Sequence, residues 1–191
     1  MTRALTAAAC ALALAGGGDA VAQTPAAAPS DPGAAQSQYY TPKLPTVTTP
    51  MRAEVLTATS FRDPESGTVY RLYGVDACEL SQTAALGRQD WPCGVVATAW
   101  LVSATLNKWI TCTPIRVEGT TQVARCATSD YPDVAAEMLK AGLALTTRDA
   151  ADQLIPTYRQ VEADARKAFR GLWGSQFQMP WDFRAARKPA P

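Results

Sequence analysis

The amino-acid sequence predicts a small α+β domain dominated by β-strands, a Greek-key barrel of the OB type. Three observations lead to this fold class. Short β-prone runs come in two pairs, each pair surrounds a turn that contains glycine, and a helical segment lies between the pairs. Two more helical segments follow. Two packed layers of helix and sheet are an alternative arrangement of the same elements.

The first predicted hairpin joins residues 52–61 to residues 68–75. Both runs are rich in β-branched and aromatic residues, and the DPESG between them has the composition of a turn. A long polar loop, residues 76–92, follows this hairpin. Residues 94–107 (GVVATAWLVSATLN) place apolar side chains at helical spacing, so we predict a helix there.

The second predicted hairpin joins residues 108–117 to residues 121–128 around Gly119. With Gly119 at its centre, Cys112 and Cys126 lie directly opposite each other, at a separation that suits a disulfide. This register therefore predicts one cross-strand disulfide.

Two helices are predicted after the second hairpin. The first covers residues 133–141 and the second covers residues 157–170, and a glycine follows each of them. Thr157 and Gln160 are spaced as a capping box, which would start the second helix at Thr157.

The first 22 residues have the pattern of a secretory signal peptide. Arg3 precedes an apolar run of roughly a dozen residues, too short to span a bilayer, and Ala20-Val21-Ala22 fits the cleavage rule. We therefore expect an exported protein, periplasmic or secreted, with no transmembrane segment. Cys10 lies inside the apolar run and would be lost with the signal, and a lipoprotein is the weaker alternative.

The mature chain divides into three parts by composition. Residues 23–50 form a Pro/Ala-rich segment that cannot bury enough apolar surface to fold, so we predict a disordered linker. Residues 51–184 form one domain of ordinary size, and residues 185–191 form a basic tail.

Composition excludes several classes of function. The chain has 18 Lys and Arg, 17 Asp and Glu, and no histidine. Loss of residues 1–22 would remove Arg3 and Asp19, which leaves a nearly neutral chain without a general nucleic-acid footprint. Without histidine, Ser-His-Asp and Cys-His catalysis and imidazole-dependent zinc sites are excluded.

Four of the five cysteines lie in the mature chain, which in an exported protein suggests two disulfides. The hairpin register pairs Cys112 with Cys126, and this leaves Cys78 to pair with Cys93 and clamp the long loop. Four free buried thiols are the alternative.

Two carboxylates, Asp76 and Glu79, follow the apolar strand in RLYGVDACEL. Carboxylates at a strand end can hold a metal or accept a proton. They can equally accept hydrogen bonds from loop amides and have a structural role.

Five stretches resemble, in this order, segments of the thermonuclease (staphylococcal nuclease-like) family: VYRLYGVDACE, WPCGVVATAWL, VARC, AAEMLKAGLAL and YRQVEADARKAFRGLWGSQFQMPWDFR. The resemblance covers residues 53–184 and is closest to the exported, cysteine-bearing bacterial branch. It implies a five-stranded OB-fold barrel with three helices, in agreement with the pattern of elements above.

The family hydrolyses phosphodiesters with help from calcium, so the resemblance implies roles for particular residues. Arg71 takes the place of a charge-stabilising arginine, and Glu79 that of the carboxylate that positions or activates water. Asp76 takes the place of a metal carboxylate, and Ala77 would offer its backbone carbonyl to the metal. Calcium would be the cofactor of an active member, and otherwise no cofactor is expected. The implied ligand is single-stranded nucleic acid or a nucleotide.

Two positions depart from the family pattern. Thr59 stands where the family carries a second metal carboxylate, and Thr121 stands where it carries a second arginine. Fewer ligand charges lower the affinity for calcium, and the loss of one stabilising donor costs about 10²–10³-fold in rate. In addition, Cys78 replaces the proline of the family's Asp-x-Pro-Glu.

We therefore predict an exported nuclease-like domain that is catalytically impaired and retains binding of nucleic acid or a phosphate ligand. Two alternatives stay open: an active calcium-dependent phosphodiesterase acting on DNA or RNA, and a structural or protein-binding module. A third acid or a second guanidinium beside Arg71, Asp76 and Glu79 would overturn the prediction of an impaired site.

Overall fold

The computed structural model describes residues 46–147 and 155–187, all within one structural unit. The predicted signal peptide, most of the linker and the last four residues of the predicted tail lie outside the described residues. The backbone N–H of Thr48 donates to the carbonyl of Cys112 at 2.8 Å, so the folded domain begins before Met51. Within the described residues, no helix is both long enough and apolar enough to cross a bilayer.

The described elements comprise nine strands, four α-helices and one short 3-10 helix. In chain order they are β1 (Glu54–Thr57), β2 (Ser60–Arg62), β3 (Val69–Leu72), β4 (Val75–Asp76), β5 (Ala84–Leu86), β6 (Gln89–Trp91), α1 (Cys93–Thr105), β7 (Ile110–Glu118), β8 (Thr121–Thr128), α2 (Val134–Lys140), β9 (Leu145–Thr146), α3 (Ile155–Lys167), the 3-10 helix (Gly171–Gly174) and α4 (Pro180–Arg187).

Five of the strands form one sheet in the order β1-β2-β3-β8-β7. The contacts between β3 and β8 are parallel, and the other pairs in this sheet are antiparallel. Strands β4 and β9 form a separate antiparallel pair, as do β5 and β6. Helix α1 packs on β1, α2 packs on β8 and α3, and α3 packs on β9, which encloses the main core.

The fold is α+β as predicted, but the closed barrel and the number of helices are not confirmed. Residues 46–147 and 155–187 contain a five-stranded sheet and four α-helices rather than three. A bridge between Met51, just before β1, and Ile110 of β7 links the two edge strands of this sheet. Gly74, at φ +72°, turns the chain after β3, and β4 then pairs with β9. A side chain at this position would also lie 2.9 Å from the Ile155 side chain of α3.

The first hairpin is confirmed in part. Strands β2 and β3 pair antiparallel around the predicted turn, with Ser60 opposite Arg71. However, residues 52–61 are not one strand, because the chain reverses at Ala58-Thr59 and pairs Thr57 with Ser60. This reversal places the half-buried Thr59 in a turn, where its carbonyl accepts a hydrogen bond from the Leu72 N–H at 2.8 Å.

The second hairpin is confirmed at its cysteines. Cys112 lies opposite Cys126, and the two form a disulfide with a Cα separation of 4.1 Å. Nearer the turn the register shifts by one residue, because a bulge follows Pro114. Proline lacks the N–H that a continuous ladder needs, which explains a bulge at this point.

The loop prediction for residues 76–92 is wrong in its second half. This segment contains the β5–β6 hairpin, in which Leu86 pairs with Gln89 and Gly87 adopts φ +65°. The hairpin is mostly exposed, so it lacks the apolar alternation that would have marked it as strands. The Cys78–Cys93 disulfide closes the loop as predicted.

The three predicted helices form, with shifted boundaries. Asp133 caps α2 by accepting a hydrogen bond from the Ala136 N–H at 3.1 Å. The predicted capping box is wrong, because α3 starts at Ile155 and Thr157 therefore lies inside it. The fourth helix, α4, includes the first residues of the predicted tail.

Candidate active site

A pocket of about 400 Å³ opens where the β1–β2 turn, the end of β3 and the segment after β4 meet. Most of the residues singled out in the sequence lie in its wall, so the structure brings them together as expected. These are Thr59, Arg71, Asp76, Ala77, Cys78 and Glu79.

Thr121 is the predicted site residue that the pocket wall does not include. It lies at the start of β8, opposite Glu118 in the hairpin and beside Val69 of β3. Thr121 is thus adjacent to the pocket, and Glu118, its partner across the hairpin, lies in the pocket wall instead.

Local structure fixes the segment that carries the two carboxylates. Asp76 ends β4, and its Oδ1 accepts a hydrogen bond from the Ala77 N–H at 2.9 Å. The Glu79 N–H donates to Oε1 of the buried Gln82 at 3.1 Å. The Cys78–Cys93 disulfide then ties this segment to the start of α1.

Arg184, which lies far from the other pocket residues in the sequence, completes this side of the pocket. Arg184 of α4 donates to both carboxylate oxygens of Asp76, at 2.6 and 3.1 Å, and to Glu79 Oε1 at 2.7 Å. The hydrogen bond to Asp76 raises the pKa of the Arg184 guanidinium, with a smaller contribution from Glu79 and with desolvation opposing both. Both carboxylates are therefore bound by one internal cation.

The other side of the pocket holds a second cluster of charges. Arg71 donates to Glu118 Oε2, and Arg116 donates to Glu118 Oε1 at 2.8 Å. The hydrogen bond from Arg116 is the main reason that the pKa of Glu118 lies below its ordinary value, and the charge of Arg71 adds to the effect. Glu118 sits at the end of β7, where the bulge changes the register, so the sequence pattern did not reveal its approach to Arg71.

Hydroxyl groups occupy the tip of the β1–β2 turn. Thr57 Oγ1 and Ser60 Oγ share a hydrogen bond of 2.7 Å, and the Thr59 N–H donates to Thr57 Oγ1 at 3.3 Å. These neutral groups line the pocket at the place where the family resemblance would put acids.

The pocket thus contains a third acid and a second guanidinium, which were named above as evidence against impairment. Both groups form ion pairs within the chain. Glu118 pairs with Arg71 and Arg116, and Arg184 pairs with Asp76 and Glu79. Three carboxylates and three guanidinium groups therefore balance one another in and around the pocket.

The arranged residues do not fit a calcium ion. Calcium takes six to eight oxygen ligands, preferably with several carboxylates among them. In residues 46–147 and 155–187, no three Asp, Glu, Cys or His side chains are grouped closely enough to hold a metal. The two carboxylates nearest the predicted site are already hydrogen-bonded to Arg184.

The fold and the pocket define a class of protein. An α+β domain with a five-stranded sheet and with carboxylates and arginines in one strand-end pocket resembles a nuclease-like domain. The family model described as staphylococcal nuclease homologue matches residues 69–175, and the chain belongs to this family.

Curated relatives agree with this assignment. The chain is similar to "Probable endonuclease lcl3" of Penicillium rubens, with 32% identity over 148 residues, covering 64% of this chain and 49% of the relative. It is also similar to "Probable endonuclease LCL3" of Candida tropicalis, with 30% identity, covering 60% of this chain and 52% of the relative. The protein of the same name from Komagataella phaffii is 31% identical, with coverage of 60% and 53%. The chain spans about half the length of the curated relatives it matches.

Proposed function

We propose that this chain is an exported nuclease-like domain with impaired hydrolytic activity that binds single-stranded nucleic acid or a nucleotide through its pocket. One observation carries the proposal. The carboxylates that would hold a metal and activate water, Asp76 and Glu79, are both bound by Arg184, while Thr59 adds only a hydroxyl.

Impairment follows from the chemistry that phosphodiester cleavage requires. A general base needs a carboxylate oxygen within reach of a water molecule. Glu79 Oε1 accepts a hydrogen bond from Arg184 at 2.7 Å, so Arg184 would have to move before this oxygen could take a proton from water. Arg71 would have to leave Glu118 before it could stabilise a developing negative charge. With Thr121 in place of a second arginine, the rate should fall by a further 10²–10³-fold, approximately.

Retained binding follows from the groups at the pocket mouth. Arg71 and Arg116 are partly exposed, and a phosphate would compete with Glu118 for both of them. The hydroxyls of Thr57 and Ser60 add neutral hydrogen-bonding groups. Because the pocket charges nearly cancel, we expect weak binding that weakens further as salt increases.

The test is an assay of the protein lacking residues 1–22 with a labelled single-stranded oligonucleotide, in calcium and in EDTA. Salt-sensitive binding without cleavage is the expected result. Calcium-dependent cleavage that disappears in Asp76→Asn would overturn the proposed impairment, and that variant excludes a contaminating nuclease. Neither binding nor cleavage would favour a structural or protein-binding module.

An active calcium-dependent phosphodiesterase is the second candidate. It is favoured by the presence of Glu118 and Arg184 in the pocket, since rotation of Arg184 would release two carboxylates. The relatives named as probable endonucleases point the same way. Calcium is the cofactor predicted for this candidate.

Export is part of the proposal and is supported by the sequence pattern of residues 1–22. The two disulfides, Cys78–Cys93 and Cys112–Cys126, are also typical of an oxidising compartment. Fractionation of the producing cells, with N-terminal sequencing of the mature protein, tests this. A chain that begins at Gln23 is expected, whereas a cytosolic full-length chain would contradict export.

A further inference from the structure

We propose that the Arg184 guanidinium acts as the resident cation of this pocket, taking the place of a divalent metal ion and making ligand binding independent of metal. The inference deepens the proposed function, because it concerns the same pocket, and it starts from the misfit between the pocket and calcium. It assigns to α4 a role in the chemistry of the site.

Arg184 makes several directed hydrogen bonds to the pocket carboxylates rather than a single surface ion pair. Its two terminal nitrogens meet both oxygens of Asp76, and one of them also reaches Glu79. A planar guanidinium paired with a carboxylate through two bonds is among the strongest charge-assisted arrangements in proteins. The three bonds span 2.6–3.1 Å, so one group satisfies the two carboxylates together.

Other contacts hold α4 in place independently of Arg184. The Gln82 side chain, which is 2% exposed, donates to the Gln178 carbonyl at 2.6 Å, just before the helix. Arg187, on the next turn, donates to Ser81 Oγ at 2.6 Å. Trp181 and Met179 pack against the cluster that contains the Cys78–Cys93 disulfide. The helix is thus attached to the same segment that carries the carboxylates.

The charge of the pocket explains why the guanidinium and a metal exclude each other. Asp76 and Glu79 together carry two negative charges, and Arg184 compensates one of them. A divalent ion at the same oxygens would lie within a few ångströms of the guanidinium and would be repelled by it. Loss of the guanidinium should instead leave two neighbouring unpaired carboxylates, which is an arrangement that attracts calcium.

The test is thermal unfolding of the protein lacking residues 1–22 in increasing calcium, at constant ionic strength. We compare the wild type with Arg184→Gln and with the matched control Arg187→Gln, which removes an arginine of α4 that contacts no carboxylate in the pocket. The wild type and Arg187→Gln should show no calcium-specific rise in Tm. Arg184→Gln should gain about 3–6 °C for each tenfold excess of calcium over its dissociation constant.

Two outcomes would overturn the inference: a calcium-specific rise in Tm of the wild type, or a folded Arg184→Gln variant without such a rise. If Arg184→Gln does not fold, the effect of calcium on the Tm of the wild type still tests the inference. Arg184→Lys keeps the positive charge, so its Tm should also remain insensitive to calcium. Oligonucleotide binding by the wild type should be unchanged in EDTA, and a loss of binding in EDTA would contradict metal independence. Failure to bind an oligonucleotide at all would count against the proposed function, whereas the calcium titration, which needs no nucleic acid, would still decide the role of Arg184.

Discussion

Gly94 approaches the backbone of Glu79 so closely that a Cβ atom at position 94 would lie 1.8 Å from the Glu79 carbonyl oxygen. The first turn of α1 and the carboxylate segment are therefore in contact through backbone atoms. The Gly94 N–H also donates to the Gln82 carbonyl at 3.3 Å, so Gly94 contacts the loop after β4 at both Glu79 and Gln82.

Gly94→Ala should therefore destabilise the domain by about 3 kcal/mol, because backbone atoms must move apart. Urea unfolding would measure this change in the free energy of unfolding. Gly119→Ala is the matched control, since position 119 has open space and only its φ of +60° opposes a side chain. We expect a cost of about 1–2 kcal/mol there, and equal costs at the two positions would contradict the close approach.

The two disulfides should stabilise the fold equally but affect the pocket differently. They close loops of similar length, with sequence separations of 15 and 14 residues, so each should contribute about 3 kcal/mol in the chain-entropy model. Replacing Cys78 and Cys93 by serine should also speed amide exchange in residues 77–82. Replacing Cys112 and Cys126 should leave that segment protected, and hydrogen exchange read by mass spectrometry distinguishes the two.

Glu118 should make the stability of the domain depend on pH. Its folded-state pKa lies below the ordinary value of 4.5, so it stabilises the fold above that value and loses this effect as pH falls through the folded pKa. The effect is small, because the side chain is 43% exposed. Thermal unfolding of the wild type and Glu118→Gln should differ most near neutral pH and converge in acid. A difference that grew in acid would contradict this assignment.

Tyr158 should stabilise the fold without affecting the pocket. Its buried hydroxyl donates to the carboxylate of Asp133, with distances of 2.9 and 3.1 Å, and Asp133 also caps α2 and pairs with Arg125. Tyr158→Phe should cost about 1–3 kcal/mol, because a charged acceptor loses a buried donor. Urea unfolding measures the cost, and oligonucleotide binding should not change. Altered binding would show that this network reaches the pocket.

Restoring the missing charges should raise hydrolysis if Thr59 and Thr121 account for the impairment. On an Arg184→Gln background, which frees Asp76 and Glu79, the double variant Thr59→Asp, Thr121→Arg should increase cleavage of single-stranded DNA by about 10²-fold or more in calcium. Thr59→Asp with Thr128→Arg is the matched control, because Thr128 lies at the opposite end of β8. Equal cleavage rates in the two double variants would show that the residue at position 121 does not account for the impairment.

The sequence predicted the parts of the fold that depend on local patterns. The β2–β3 and β7–β8 hairpins and both disulfides could be read from strand runs, turns and residue spacing. The register near the turn of the second hairpin could not be read from the sequence, because the bulge beside Pro114 depends on one missing hydrogen bond. The separate β4–β9 pair also escaped prediction, since it follows from the turn at Gly74 and its packing against α3.

For the site, the sequence identified the residues that are close together in the chain. Arg71, Asp76 and Glu79 lie on one short segment, and they do share a pocket. Arg184 joins them from 108 positions beyond Asp76, through a helix that no periodic pattern marked. Glu118 joins them across the sheet. Contacts of this kind arise only from the packed structure.

Because Arg184 lies 108 positions after Asp76, the carboxylates of Asp76 and Glu79 gain their counter-charge only after α4 has been synthesised. A nascent or truncated chain that ends before α4 would present an acidic, unshielded cleft. Such a chain should bind divalent cations more strongly than the finished domain does. The charge balance of the pocket therefore depends on a helix that is translated well after the strands that form its walls.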